Sequence, residues 1–199
     1  MSAESMHEHA GWLRSARLAL RRFTSADIEF LHGLYADPAV ARFLGGVKSR
    51  GECEIMLHER VLAYYDEHPG LGVWLTRARD SGAAVGLHLL NHIRGETHIQ
   101  VGYVLATPYW GHGYATEMSL ALLHYGFTVR GLQQITAITH LDNTASQRVL
   151  QKCGLQRRGE RVLAHPSYGG QPLAWFELEA AEWARHAPPL HAEMRLERA

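Results

Sequence analysis

The residues best suited to chemistry lie in the run Tyr109-Trp110-Gly111-His112-Gly113-Tyr114-Ala115-Thr116-Glu117. Gly111 and Gly113 allow positive φ and carry no Cβ to block a ligand, so successive N–H groups can converge on one concavity. A helix beginning near Gly113 would add the positive end of its dipole. That combination suits a phosphate or pyrophosphate, and His112 adds charge when protonated. Glycine pairs also make ordinary turns, so the spacing alone leaves an anion site and a plain loop both open. The run lacks the G-x-x-x-x-G-K-[ST] spacing of a Walker loop. Its G-x-G-x-A spacing, after a hairpin, is also not the dinucleotide fingerprint that opens a βαβ unit.

The second informative run is Thr139-His140-Leu141-Asp142-Asn143-Thr144-Ala145-Ser146-Gln147-Arg148-Val149-Leu150-Gln151-Lys152-Cys153-Gly154-Leu155. Asn143 suits a helix N-cap, with Ser146 in the first turn, Val149 and Leu150 facing a core and Gly154 as the stop. Equally, Asn143 and Ser146 can face the same crevice as the glycine loop. Histidines tempt a metal reading, but His88 and His92 are four residues apart, about 13 Å along a strand, and no H-E-x-x-H occurs. No metal is expected.

The elements that must position these runs follow from periodicity. Arg17 to Arg21 alternates apolar and polar as a half-buried strand. Thr24 or Ser25 caps a helix with Ile28, Leu31 and Leu34 on one face. Asp37-Pro38 breaks it, and Gly45-Gly46 closes a short second helical piece. Residues 49–67 read as a longer helix. Strands are expected at 71–77, 84–93 and 97–105, the first two joined at Arg79-Asp80-Ser81-Gly82. A helix is expected over 113–130, a strand over 133–139, a helix to Lys152, and strands near 156–164 and 172–178. The order β-αα-βββ-α-β-α-ββ predicts an α/β fold with a mixed sheet. One domain is expected over residues 14–185, between tails at 1–13 and 186–199.

Composition narrows the classes. The chain has 199 residues, 20 Lys+Arg against 20 Asp+Glu, and 14 His, so with His neutral the formal charge is zero. A nucleic-acid coat protein would need a basic excess; no nucleic-acid partner is expected. Cys53 and Cys153 are far apart and offer no disulfide framework or zinc knuckle. The first twelve residues lack the apolar stretch of a signal peptide. No run approaches the roughly 18 apolar residues of a membrane span, so no membrane partner and a cytoplasmic location are expected.

Taken together, Y-W-G-H-G-Y-A-T-E and, about thirty residues on, N-T-A-S-Q-R-V-L-Q-K-C-G-L resemble the GNAT superfamily of acetyl-CoA-dependent N-acetyltransferases, specifically its ribosomal-protein-alanine or serine N-acetyltransferase-like branch. Arg17-Leu18-Ala19-Leu20-Arg21-Arg22-Phe23 and Val101-Gly102-Tyr103-Val104-Leu105 add to the likeness, which spans about residues 14–185. The resemblance implies a mixed, largely antiparallel seven-stranded sheet flanked by about four helices. Its fourth and fifth strands, here 97–105 and 133–139, splay apart, and the pantetheine arm of acetyl-CoA lies in the V.

It further implies that backbone groups of Tyr103, Val104 and Leu105 bond the pantetheine. N–H groups from Gly111 through His112, Gly113, Tyr114 and Ala115 to Thr116 would hold the pyrophosphate, and Asn143 would meet the pantetheine. Trp110 stands where the family usually has Gln or Arg, removing one charge contact. His112 stands where Lys or Arg is common, so pyrophosphate affinity would fall as pH rises. The reaction implied is direct transfer of an acetyl group to a primary amine, on a protein N-terminus or a small molecule. A strand N–H near Tyr103 or Val104 would stabilise the oxyanion, and Ser146 would serve the leaving thiolate. Relatives often carry Glu where this chain has Gln100, which cannot take a proton. His98 shares that strand face and has suitable chemistry, but a surface role for His98, or a water chain with no base, stays open. The alternative function is an acyl-CoA-binding module of the same fold without turnover; a phosphate or nucleotide binder unrelated to acyl-CoA is a third reading. Dimers are common in the family, which makes a homodimer an option.

Overall fold

Leu18 and Leu20 are fully buried while Ala19 between them and Arg21 after them are not, so the alternation seeds a strand that covers one face of a sheet. The computed structural model describes residues 13–186. Among them are β1 (Leu13–Arg14), β2 (Leu18–Arg22), β3 (Gly72–Ala78), β4 (Ala84–His92), β5 (Ile99–Leu105), β6 (Gln134–His140), β7 (Gln156–Val162) and β8 (Pro172–Glu179). They form one sheet in the order β1-β2-β3-β4-β5-β6-β8-β7, with β5 and β6 parallel and the other neighbours antiparallel.

The described residues also form six helices. These are α1 (Ile28–Ala36), α2 (Pro38–Ala41), α3 (Arg50–Met56 continued by a π-helical stretch Leu57–Leu62 and Ala63–Glu67), α4 (Tyr114–His124 with a π turn Tyr125–Val129), α5 (Thr144–Lys152) and α6 (Ala180–His186). Ser49 opens α3 with a capping box, its hydroxyl meeting the Glu52 N–H and Glu52 reaching back to Ser49, which satisfies two orphan donors at once.

Eight strands and six helices replace the expected seven and about four. The added strand is β1, where Leu13 pairs with Leu20 and Arg14 with Ala19. Leu13 falls in the expected tail, yet it is buried in the core. A tight turn, Ser15 N–H to Leu18 O at 2.9 Å, returns it to the sheet. The helix not placed beforehand is the short α6, while α2, which Asp37 starts by accepting from the Ala39 N–H at 2.8 Å, is the short helical piece expected before Gly45-Gly46. Strand β5 starts at Ile99 rather than 97, because Ile93 O accepts from Glu96 N–H and Ile93 N–H donates to His98 O, both at 2.9 Å, closing the hairpin there. The rest of both expected tails lies outside the described residues.

The core side of α4 buries Ala115, Met118, Ala121, Leu122 and Leu123 against the face of the sheet carrying Leu90 and Ile135. Gly126 lets the backbone come that close, since a Cβ there would sit 2.6 Å from Ile135. Each large apolar side chain so buried contributes about 1.5–3 kcal/mol.

His88 lies on this face and is completely buried. Its Nδ1 meets Thr76 Oγ1 at 2.7 Å, while its Nε2 has no hydrogen-bond partner. Burial pushes its pKa down to about 3, only partly opposed by the Ala115 backbone beneath α4. Between about pH 6.5 and 3 the unfolded chain therefore binds a proton that the folded chain refuses. Stability is lost as pH falls through that window, at about 1.4 kcal/mol per unit. His88→Gln should flatten the pH dependence of the urea midpoint between about pH 6.5 and 4.5. An unchanged slope would show that His88 is not the group responsible.

Candidate active site

β5 and β6 are tied at one register pair, Gln100 with Thr136, reinforced by Thr136 Oγ1 donating to Ile99 O at 2.8 Å. Beyond that pair no further β5–β6 register pair forms, and residues 101–105 and 137–140 make the two sides of a V. On the other edge of β5 the ladder to β4 fixes which groups face the V. Ile93 N–H bonds His98 O and Ala106 N–H bonds Val85 O, and residues in an antiparallel ladder alternate. The even positions, including Gly102 and Val104, therefore spend their backbone groups on β4. The odd positions face the β6 side: the Val101 N–H is spent on Thr136 at the tie, while the Val101 carbonyl, both Tyr103 groups and the Leu105 N–H point into the V.

Two expectations change as a result. The backbone of Val104 faces β4 rather than the V, and it is the Val101 carbonyl that lies on the V side instead. The Leu105 carbonyl already accepts the Trp110 indole N–H at 2.7 Å. Trp110 thus folds the loop back onto the strand in place of the charge contact its position usually provides.

The glycine loop sits at the mouth of the V. Gly111 and Gly113 have φ of 78° and 80°, left-handed values that cost other residues about 1–2 kcal/mol. The space beside Gly111 is open, and a Cβ on Gly113 would lie 3.5 Å from the Arg17 guanidinium. Gly113 is the N-cap of α4, so the N–H groups of Tyr114, Ala115 and Thr116 have no acceptor within the helix. His112 lies in the same loop, its Nδ1 held by the Trp110 carbonyl at 2.8 Å. These free amides and Cβ-free positions fit a pyrophosphate.

Glu117 anchors the loop, a role that no local motif announces. It accepts from Ser15 Oγ at 2.7 Å, the Arg17 amide at 2.8 Å and Arg17 Nε at 2.7 Å. Burial would raise its pKa, but these three bonds hold the carboxyl below its usual range. Arg17 also lies over the Tyr114 ring at 4.7 Å. The pairing joins residues about a hundred positions apart, so only the fold reveals it.

Asn143 is indeed the α5 cap, its Oδ1 accepting from the Ser146 N–H at 3.1 Å. That use occupies Oδ1 and does not involve Nδ2. Burial raises the Tyr103 pKa, and the Ser146 side chain beside the phenol opposes that rise. Capping and crevice readings of this helix start are therefore compatible. Cys153 behind them is buried, and burial pushes its thiol up to about 12, leaving it inert.

His98 is not brought into this group. It precedes the Gln100–Thr136 tie, at the closed end of the V, on the strand face opposite Tyr103. Its ring meets Trp175 edge-on at 5.1 Å, and Glu96 lies 3.6 Å from its Nδ1. Gln100 donates to Asn91 Oδ1 at 3.3 Å. His88 and His92 have separate partners, Thr76 and Tyr64 respectively. Among the described residues no group of three or more His, Cys, Asp or Glu is arranged to hold a metal ion, and no helix is long and apolar enough to cross a membrane.

Gly113→Val should raise the dissociation constant for CoA by about 10-fold or more, because bulk at a left-handed position displaces either Arg17 or the loop. Calorimetry would measure it; CoA affinity equal to wild type would remove the loop from the binding site.

Comparison with known proteins agrees with this geometry. The Acetyltransferase (GNAT) domain family matches residues 17–156. The chain is 32% identical over 153 residues to YoaA, an uncharacterized N-acetyltransferase of Bacillus subtilis, covering 74% of this chain and 84% of that one. A Vibrio cholerae spermidine N-acetyltransferase solved with CoA and spermine superposes with a TM-score of 0.67 at 18% identity, over 85% of this chain and 99% of that one. A V. cholerae protein assigned as a ribosomal-protein-serine acetyltransferase superposes with a TM-score of 0.68 at 19% identity, over 83% and 95%. The glycine loop, the splayed strands and the family match together make this chain a member of the GNAT superfamily of N-acetyltransferases.

Proposed function

We propose that the chain moves the acetyl group of acetyl-CoA directly onto a primary amine. The observation that carries this reading is the V itself: beyond the tie at Gln100 and Thr136, the Val101 carbonyl and the backbone groups of Tyr103 lie on an open strand edge that leads from a glycine loop at a helix start. An arm containing amides can add to that edge as a strand would, with its phosphates on the loop.

Acetyl-CoA supplies an activated thioester carbonyl. The amides of residues 111–116 hold its phosphates, and Trp110 and His112 shape that loop. Asn143 Nδ2 donates to the pantetheine arm. The Tyr103 N–H, fixed in the ladder and aimed into the V, donates to the carbonyl oxygen as charge builds there, with no reorganisation needed. The Tyr103 phenol, kept protonated by burial beside Ser146, and the Ser146 hydroxyl together stabilise the departing thiolate. His98, on the face shared with Gln100, takes the proton of the incoming ammonium through water, since its position at the closed end does not meet the V directly. The protein acts in the cytoplasm, without a metal, on a small-molecule or peptide amine; a homodimer accords with the habit of the family.

Gln100 favours a second reading. Its amide is bonded to Asn91 where relatives carry a carboxylate, so the same fold could retain acyl-CoA without turnover. Thiol release measured with a broad amine panel, with products identified by mass spectrometry, separates the two. Tight acetyl-CoA binding without release on any amine would establish the binding module.

Ser146→Ala should lower kcat by about 10-fold with little change in KM for acetyl-CoA, and Tyr103→Phe should behave alike. Unaltered kcat in both would reduce the pair to a structural contact.

A further inference from the structure

On the closed side of the V the β4–β5 hairpin, the β7–β8 loop and α3 come together around basic groups with little to neutralise them. The Arg94 backbone N–H donates to the Tyr168 hydroxyl at 2.9 Å, which docks hairpin onto loop. His165, from the same loop, packs so close that a Cβ on Gly95 would sit 3.4 Å from its own Cβ. Arg94 Nη1 is buried and has no hydrogen-bond partner. Burial first, then the Arg60 cation, pull the Arg94 guanidinium below its usual range. The π-helical stretch of α3 brings Arg60 to the group, and Arg94 and Arg60 both add to the burial that lowers His165.

The acidic residues do not satisfy this cluster. Glu59 faces Arg94 only at long range, and Glu96 lies near Tyr168 and beside His98. Neither gives Nη1 a partner. A desolvated guanidinium N–H left unpaired is costly, and its remedy is an oxyanion that can take two donors at once.

A packed apolar group joins the cluster to β6 beside the V. Ile93, next to Arg94, packs with Leu163 and Trp175, and this small apolar group reaches Ile138. Ile138 lies two residues beyond the Gln100–Thr136 tie, on the β6 side of the V.

We propose that Arg94, Arg60 and His165 form an anchoring subsite for the acceptor, and that the amine acetylated by this chain also carries a carboxylate or a phosphate. The inference rests on the acetyl-transfer reading and narrows its substrate. Matched amines test it: lysine against cadaverine, and phosphoethanolamine against ethanolamine. Wild type should favour the anionic member of one pair by about 10-fold or more in kcat/KM, and the pair that shows the preference tells carboxylate from phosphate. Arg94→Gln and the exposed Arg60→Gln should each erase most of that preference through KM for the acceptor, leave KM for acetyl-CoA unchanged, and be partly rescued in Arg94→Lys. Preference for cadaverine and ethanolamine, or a preference that survives both Gln variants, would overturn the subsite.

A second readout needs no turnover. Calorimetry with glutarate and with inorganic phosphate, on protein saturated with CoA, should detect one of them and show about 10-fold weaker binding in Arg94→Gln. That result with no acetylation of any amine would sink the transfer reading and keep the anion subsite. Binding of neither probe would sink the subsite whatever the turnover.

Discussion

The site depends on the point at which two parallel strands stop pairing. Gln100 meets Thr136, the Thr136 hydroxyl closes on the Ile99 carbonyl, and from there β5 and β6 separate. Everything functional is measured from that tie. Groups above it line an opening with unsatisfied strand edges, and groups below it are bound into a continuous sheet. Backbone amides and carbonyls do not stay unpaired in a fold without reason, so an opened seam in the middle of a sheet reads as a built receptor for something with amides of its own.

The ladder between β4 and β5 gives that receptor its handedness. Because hydrogen-bonding direction and side-chain direction both alternate along a strand, Tyr103 sends its N–H into the V and its phenol to the α4 and α5 face. One residue thus faces the V with its backbone and Ser146 with its side chain. At the first turn of α5, Asn143 caps the helix with Oδ1, a use that does not involve Nδ2.

Much of this was legible in the sequence. The glycine pair, the Asn cap and the alternation of Leu18 and Leu20 are local, and local patterns survive translation into structure. Three features were not legible, each for a physical reason. The Glu117 bonds to Ser15 and Arg17 join distant segments, and the indole of Trp110 turns back to the Leu105 carbonyl through a loop whose path no periodicity encodes. The two-residue strand at Leu13 is too short for any alternation to declare it. The parity of β5 also needed the hairpin closure at Ile93 and His98, which depends on where the turn ends rather than on residue type. Without it, Val104 looks as good a cofactor contact as Val101.

That parity makes the strand far less tolerant of one kind of change than of another. A conservative replacement at Val101 or Leu105 alters a side chain and leaves the edge groups in place. A single-residue deletion or insertion within β5 would invert the whole pattern. It would hand the even-numbered amides to the V, bury the glycine and glutamine positions against α4, and swing the phenol away from Ser146. Substitution along β5 therefore leaves the edge intact where a change in its length between the Ile93 hairpin and Ala106 would not.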